Sequence, residues 1–203
     1  MNEALDRQDP AAVAATGNEQ MHAGLLRLAT RVAVAVAGLL ILAKLTAWFL
    51  TDSVAILSSL MDSVLDVGAS LVNMYAVAHS LVPADREHRF GHGKAEALAG
   101  LAQSAFISGS ALFLLAEAGH RLIEPRVVAR DEIGIAVMVL SICLTIGLVT
   151  FQRYVVKRTK SIAISADSMH YRADLLANLG VILALVLAGN LGWTYADPII
   201  AVM

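Results

Sequence analysis

The sequence predicts an all-α membrane protein, a bundle of six transmembrane helices of which five are complete and the sixth is cut off. Composition gives the first reason. Of the 203 residues, 58% are hydrophobic and only 16% are charged, whereas soluble domains average about 45–50% apolar and about 25% charged residues. The second reason is arrangement, because the apolar residues are gathered into runs as long as membrane spans require. Short polar segments separate these runs.

The first two spans follow a polar start. We expect residues 1–24 to form a flexible cytoplasmic tail in front of a transmembrane domain over 25–203. The first span covers about 25–50, and Lys44 lies near its far end, where a long stem can carry the ammonium group toward the headgroups. The polar residues 51–53 predict a tight turn with an N-cap for the second span, which reaches about residue 81.

The remaining spans are separated by polar loops. After the hydrophilic loop 82–94, the third span covers about 95–122, the fourth about 133–154 and the fifth about 161–188. A sixth begins at Pro198, and we expect the chain to stop inside it. The third span predicts a closely packed interior helix, since small residues let helices approach in lipid; these are Gly100, Ala102, Ser104, Ala105, Ser108, Gly109, Ser110 and Ala111.

Basic residues predict the orientation. The loops after the second and fourth spans carry Arg86, Arg89, Lys94, Arg153, Lys157, Arg158 and Lys160, whereas the loop after the third carries only Arg121, Arg126 and Arg130. Basic residues in short loops accumulate on the cytoplasmic side. We therefore expect the N-terminus and both basic loops to lie in the cytoplasm.

Two pairs of ionisable residues stand within predicted spans. Asp62 and Asp66 are four residues apart in the second span, and His170 and Asp174 are four apart in the fifth. This spacing places each pair on one helix face. Counted from the span ends at 1.5 Å per residue, the first pair lies roughly 14 and 20 Å deep and the second roughly 15 and 21 Å deep from the opposite side. Both pairs therefore fall near the midplane of a hydrocarbon layer about 30 Å thick.

Ionisable side chains at this depth are costly and usually functional. A lone Asp or His in a helix often serves only structural hydrogen bonding, but agreement in depth favours one shared site. Three carboxylates and an imidazole suit Zn²⁺, and Fe²⁺, Cd²⁺ or Mn²⁺ fit the same donors. Because these groups also bind protons, metal release can be coupled to proton uptake.

The loop 82–94 holds a second candidate group. Asp85, His88 and His92 have a spacing that suits three metal ligands and an open position. The same residues also suit a solvated charged loop, because Arg86, Glu87 and Arg89 intervene. Spacing alone leaves these alternatives open.

Four segments carry a resemblance to the cation diffusion facilitator (CDF) family of divalent-metal/proton antiporters, and to its bacterial ferrous-iron and zinc efflux members above all. They are Ser63-Val-Leu-Asp-Val-Gly-Ala-Ser70, Phe90-Gly-His-Gly-Lys-Ala-Glu-Ala97, Ala102-Gln-Ser-Ala-Phe-Ile-Ser-Gly-Ser110 and Ala166-Asp-Ser-Met-His-Tyr-Arg-Ala-Asp174. The resemblance implies a transport site formed by Asp62, Asp66, His170 and Asp174. It also implies a second zinc site at Asp85, His88 and His92, of structural or other role.

The resemblance further implies a homodimer of six-helix protomers in the bacterial inner membrane. A cytoplasmic metal-binding domain would follow the sixth helix, beyond the residues of this sequence. Lys94 is similar to the family residue that forms an ion pair between protomers, and its acidic partner would lie beyond Met203.

The function predicted is therefore secondary active efflux of Zn²⁺ in exchange for protons. A proton-independent metal channel or importer is the alternative, and a membrane metalloenzyme is a distant one because no HExxH helix occurs. No GxxxxGK[ST] loop occurs, so a nucleotide partner is not expected. The net charge of −2 and the lack of a basic stripe argue against nucleic acid. The single Cys143 excludes a disulfide framework and a tetrathiolate zinc site.

Overall fold

The computed structural model describes residues 10–52, 54–123 and 132–191, and these residues contain five α-helices. They are α1 (Pro10–Thr51), α2 (Val54–Ser80), α3 (Lys94–Ile123), α4 (Glu132–Thr159) and α5 (Ile162–Leu191). No strand occurs among these residues. The predicted all-α class is thereby confirmed, while the predicted sixth span lies outside the described residues.

Three of these helices contain segments long and apolar enough to cross a membrane, namely Gly17–Thr51, Ser59–Ser80 and Ile133–Thr159. Helix α1 begins at Pro10, so it includes much of the segment predicted as a flexible tail. Local sequence explains this start: Pro suits the first helical position, and residues 11–15 are rich in Ala, the strongest helix former.

The helices pack together in a core near one end of the bundle. This is the end that the distribution of basic residues predicts to face the cytoplasm. Helix α1 packs against α2 and α4, and α5 packs against α3 and α4. Every helix contributes to one cluster of buried apolar residues, which comprises Leu26, Ala29, Val77, Ala99, Val155, Ala163 and Ile164. This cluster holds the start of α5 beside the end of α2, and so fixes the relation between the two helices that carry the ionisable pairs.

Helix α5 begins with two caps that fix its position. The hydroxyl oxygen of Ser161 accepts a hydrogen bond from the backbone N–H of Ile164 at 3.2 Å. A carboxylate oxygen of Glu96 on α3 accepts a hydrogen bond from the backbone N–H of Ile162 at 2.8 Å. The first N–H groups of a helix lack partners within the helix and carry its positive dipole end. Glu96 therefore both satisfies these groups and ties α3 to α5.

The prediction of α3 as an interior helix stays a prediction, because the predicted sixth span lies outside the described residues. Between residues 101 and 116, Gln103 is buried, and most of the other described side chains are exposed. Close approach occurs at Gly100, where an added Cβ would lie 2.9 Å from Cγ2 of Ile162. Small residues permit close packing but do not choose the face that packs, and here that face is limited to the start of the helix.

Candidate metal centre

Helices α2 and α5 bring three of the four predicted ligands together. The Nε2 atom of His170 lies 3.0 Å from Oδ1 of Asp66 and 3.5 Å from Oδ2 of Asp174. One donor atom from each residue lies within 4.8 Å of the other two. His170 is buried, and both carboxylates are half-buried. The donor atoms of His170 and Asp174 on α5 therefore lie close to that of Asp66 on α2.

The donor set suits a divalent cation. In a tetrahedral zinc site with bonds of about 2.1 Å, neighbouring ligand atoms lie about 3.4 Å apart. The two contacts of His170 Nε2 bracket this value. In addition, Oδ2 of Asp174 is buried and has no hydrogen-bond partner among the described residues. A buried carboxylate oxygen without a hydrogen bond is costly, and a bound cation would satisfy it.

Asp62, the fourth predicted ligand, stands apart from this group. It lies one turn from Asp66 on α2, toward the start of that helix, and its side chain is exposed in the isolated chain. The compact cluster of donor atoms does not include it. Its role as a ligand stays a prediction.

A buried hydrogen bond joins the two helices next to the cluster. The hydroxyls of Ser70 on α2 and Tyr171 on α5 are 2.8 Å apart, and both residues are almost fully buried. Ser70 lies one turn after Asp66, and Tyr171 follows His170. The ring of Tyr171 packs in a second apolar cluster with Ala33, Leu148 and Val149. This contact fixes the rotation of α5 that aims His170 at Asp66.

Asp167 supports the site from one turn earlier on α5. Its side chain is fully buried. One carboxylate oxygen accepts a hydrogen bond from the Gln152 amide at 2.6 Å, and the other accepts one from the Gln103 amide at 3.5 Å. Asp167 on α5 thereby links α4, through Gln152, and α3, through Gln103.

Lys44 departs from its sequence prediction. Its ammonium group does not extend along α1 toward headgroups; it donates to the backbone carbonyl of Ser59 at 3.0 Å and to the hydroxyl of Ser63 at 2.7 Å. Both acceptors belong to α2. The sequence does carry a signal for this contact between helices. A single lysine within a predicted span requires a polar partner in lipid.

The loop between α2 and α3 brings all three predicted ligands of the second site together. Oδ1 of Asp85 lies 3.3 Å from Nδ1 of His88, and Oδ2 lies 3.6 Å from Nε2 of His92. One donor atom from each residue lies within 4.8 Å of the others. His92 is buried, and its Nδ1 atom has no partner among the described residues. The rings of His79 and His92 are in edge-to-face contact, with centroids 4.5 Å apart.

Backbone N–H groups hold Asp85 in its charged form. The amides of His88 and Glu87 donate to its Oδ1 atom at 2.6 and 3.0 Å. These bonds, that of His88 above all, lower the pKa of Asp85 below its usual value. The carboxylate is therefore available to a cation throughout the neutral pH range.

Comparison with known proteins identifies the family. A model described as the cation efflux transmembrane domain matches residues 30–203. The chain belongs to this cation efflux family. The resemblance to cation diffusion facilitators is confirmed, and both clusters of donor atoms lie within the matched range.

Named relatives agree with the assignment to the cation efflux family. The cation-efflux pump FieF of Escherichia fergusonii is 49% identical over 182 residues, which cover 90% of this chain and 60% of the relative. The protein of the same name from Pectobacterium carotovorum subsp. carotovorum is 50% identical over 180 residues, 89% of this chain and 60% of the relative. The chain thus spans 60% of the length of these curated relatives.

Proposed function

We propose that the protein exports Zn²⁺ from the cytoplasm in exchange for protons, with Fe²⁺, Cd²⁺ and Mn²⁺ as further possible cargo. The observation that carries this proposal is the cluster of Asp66, His170 and Asp174 between two helices of a cation efflux domain. We include Asp62 as a fourth ligand, because it lies one turn from Asp66 on the same helix.

The chemistry of the donors supports exchange of metal for protons. Carboxylates and imidazole bind a metal only when deprotonated, so a proton arriving at the site competes directly with the cation. The 3.0 Å contact between His170 and Asp66 supports this exchange, because two groups at that distance can share a proton when the cation leaves. Oxygen and nitrogen donors without thiolate favour Zn²⁺ and its divalent neighbours over soft monovalent copper.

Membership of the family and the distribution of basic residues support a proposal for the oligomeric state and the membrane orientation. We propose a homodimer in the bacterial inner membrane, with cytoplasmic N-termini and with access to the site alternating between the two sides. Lys94, exposed at the first residue of α3, would form the ion pair between protomers. The Asp85, His88 and His92 cluster would hold a second zinc ion, which stabilises the loop or gathers metal near the cytoplasmic surface.

Transport in proteoliposomes tests the proposal. The protein is reconstituted, and Zn²⁺ and internal pH are followed together for the parent, for Asp174→Asn and for the matched control Glu19→Gln, which alters an exposed acid on α1. We expect zinc uptake with matching proton efflux in the parent and the control, and loss of both in Asp174→Asn. Zinc flux that ignores the pH gradient would indicate a channel, and flux unchanged by Asp174→Asn would refute the site.

A further inference from the structure

Lys44 is held by α2 although it belongs to α1. Its half-buried ammonium group donates to the Ser59 carbonyl at 3.0 Å and to the Ser63 hydroxyl at 2.7 Å, and these acceptors are one helical turn apart. Ser63 is itself buried. Two short bonds to oxygen acceptors fix the position of a side chain that would otherwise have many rotamers. The charge therefore has a defined location.

That location is beside the transport site. Ser63 follows Asp62 and precedes Asp66 by three residues, so the ammonium group meets α2 at the level of its acidic pair. Its charge interacts with the carboxylates of Asp66, Asp62 and Asp174, in decreasing order. These are the three acids of the proposed site. Interactions between charges are strong at this depth because the surroundings are poorly polarisable.

We propose that Lys44 is a fixed cation of the transport site, which lowers the affinity for a divalent metal and thereby speeds its release. This inference rests on the proposed function, because it concerns the same site. Three carboxylates carry three negative charges, and a divalent cation leaves one of them uncompensated. The ammonium group supplies the missing positive charge before any metal arrives, so it opposes binding and leaves the loaded site neutral.

Charge removal gives the direct test. Zinc affinity is measured by calorimetry on the purified protein, with His92→Ala present so that the second site does not contribute. In this background we compare Lys44→Met, which removes the charge, Lys44→Arg, which keeps it, and Lys157→Met, a matched change at an exposed lysine near the end of α4. We expect the Kd of Lys44→Met to fall on the order of tenfold or more, because a repulsive charge is removed. Lys44→Arg and Lys157→Met should stay near the parent.

Transport supplies an independent readout. In proteoliposomes, Lys44→Met should reach half-saturation at lower zinc and show a lower maximal rate, since tighter binding slows release. A merely structural lysine would not produce this pattern, because damage to packing weakens binding or lowers the rate without tightening the site. An affinity of Lys44→Met that is unchanged or weaker than that of the parent would overturn the proposal.

Two further measurements keep the test decisive. If Lys44→Met does not fold, as judged by loss of the helical circular dichroism signal, Lys44→Gln replaces it, because its amide can still donate to the Ser59 carbonyl. In parallel, Asp66→Ala tests the site itself. If Asp66→Ala leaves zinc binding intact, the proposed transport site fails; if it abolishes binding while Lys44→Met fails to tighten it, only the role of Lys44 fails.

Discussion

Removing the carboxylate of Asp167 should destabilise the protein more than any change at an exposed acid. In the structure this fully buried group accepts one amide N–H bond from Gln152 and another from Gln103. Asp167→Ala leaves both amides without an acceptor. Each unsatisfied buried donor costs about 1–3 kcal/mol, so with partial relaxation we expect a loss of about 2–4 kcal/mol. At about 2–4 °C per kcal/mol for a protein of this size, the melting temperature should fall by about 5–15 °C.

The assay is thermal unfolding of the purified protein, followed by helical circular dichroism. The matched control is Glu19→Ala at an exposed position, which should change stability by less than about 0.5 kcal/mol. A double variant, Asp167→Ala with Gln152→Ala, removes both partners of the 2.6 Å bond. It should be less destabilised than the sum of the single changes, because Gln152 no longer leaves an unpaired amide. A melting temperature for Asp167→Ala within about 2 °C of the parent would refute this account of the three-helix junction.

Other contacts give three further predictions. Tyr171→Phe should cost about 0.5–1.5 kcal/mol by removing the hydroxyl contact with Ser70; thermal unfolding measures it, and equal effects of Tyr171→Phe in the parent and in a Ser70→Ala background would contradict it. Glu96→Ala should cost about 0.5–2 kcal/mol, because the first amides of α5 lose their acceptor; hydrogen exchange at those amides should accelerate, and unchanged exchange would disprove the cap. His92→Ala should lower zinc stoichiometry by one ion per chain, since it removes the buried histidine of the proposed second site. Equilibrium dialysis measures this, and an unchanged stoichiometry would exclude His92 as a ligand.

Local patterns predicted much of the fold and the centre of the site. The apolar runs give the helices, and i, i+4 spacing gives the shared face of His170 and Asp174. Depth counting predicted that the two ionisable pairs would lie near one level, and the 3.0 Å contact between Asp66 and His170 agrees with that prediction. These inferences succeeded because helix periodicity and the thickness of a bilayer are properties that a sequence expresses directly.

Side chains with more than one available partner could not be predicted in this way. Lys44 can reach the headgroups or a neighbouring helix, and the Ser59 carbonyl and Ser63 hydroxyl on α2 decide between them. Asp167 becomes a structural junction only because Gln152 and Gln103 lie opposite it.

The sequence by itself determined the helical class, the approximate positions of the helices, the family resemblance and the residue types proposed as metal ligands. The tertiary structure alone decided which acids cluster with His170, which face of α3 is covered, and where the charge of Lys44 lies. The physical reason is that spacing along a helix fixes a residue's face and depth, whereas the partner on that face depends on how the neighbouring helices are rotated and packed against one another.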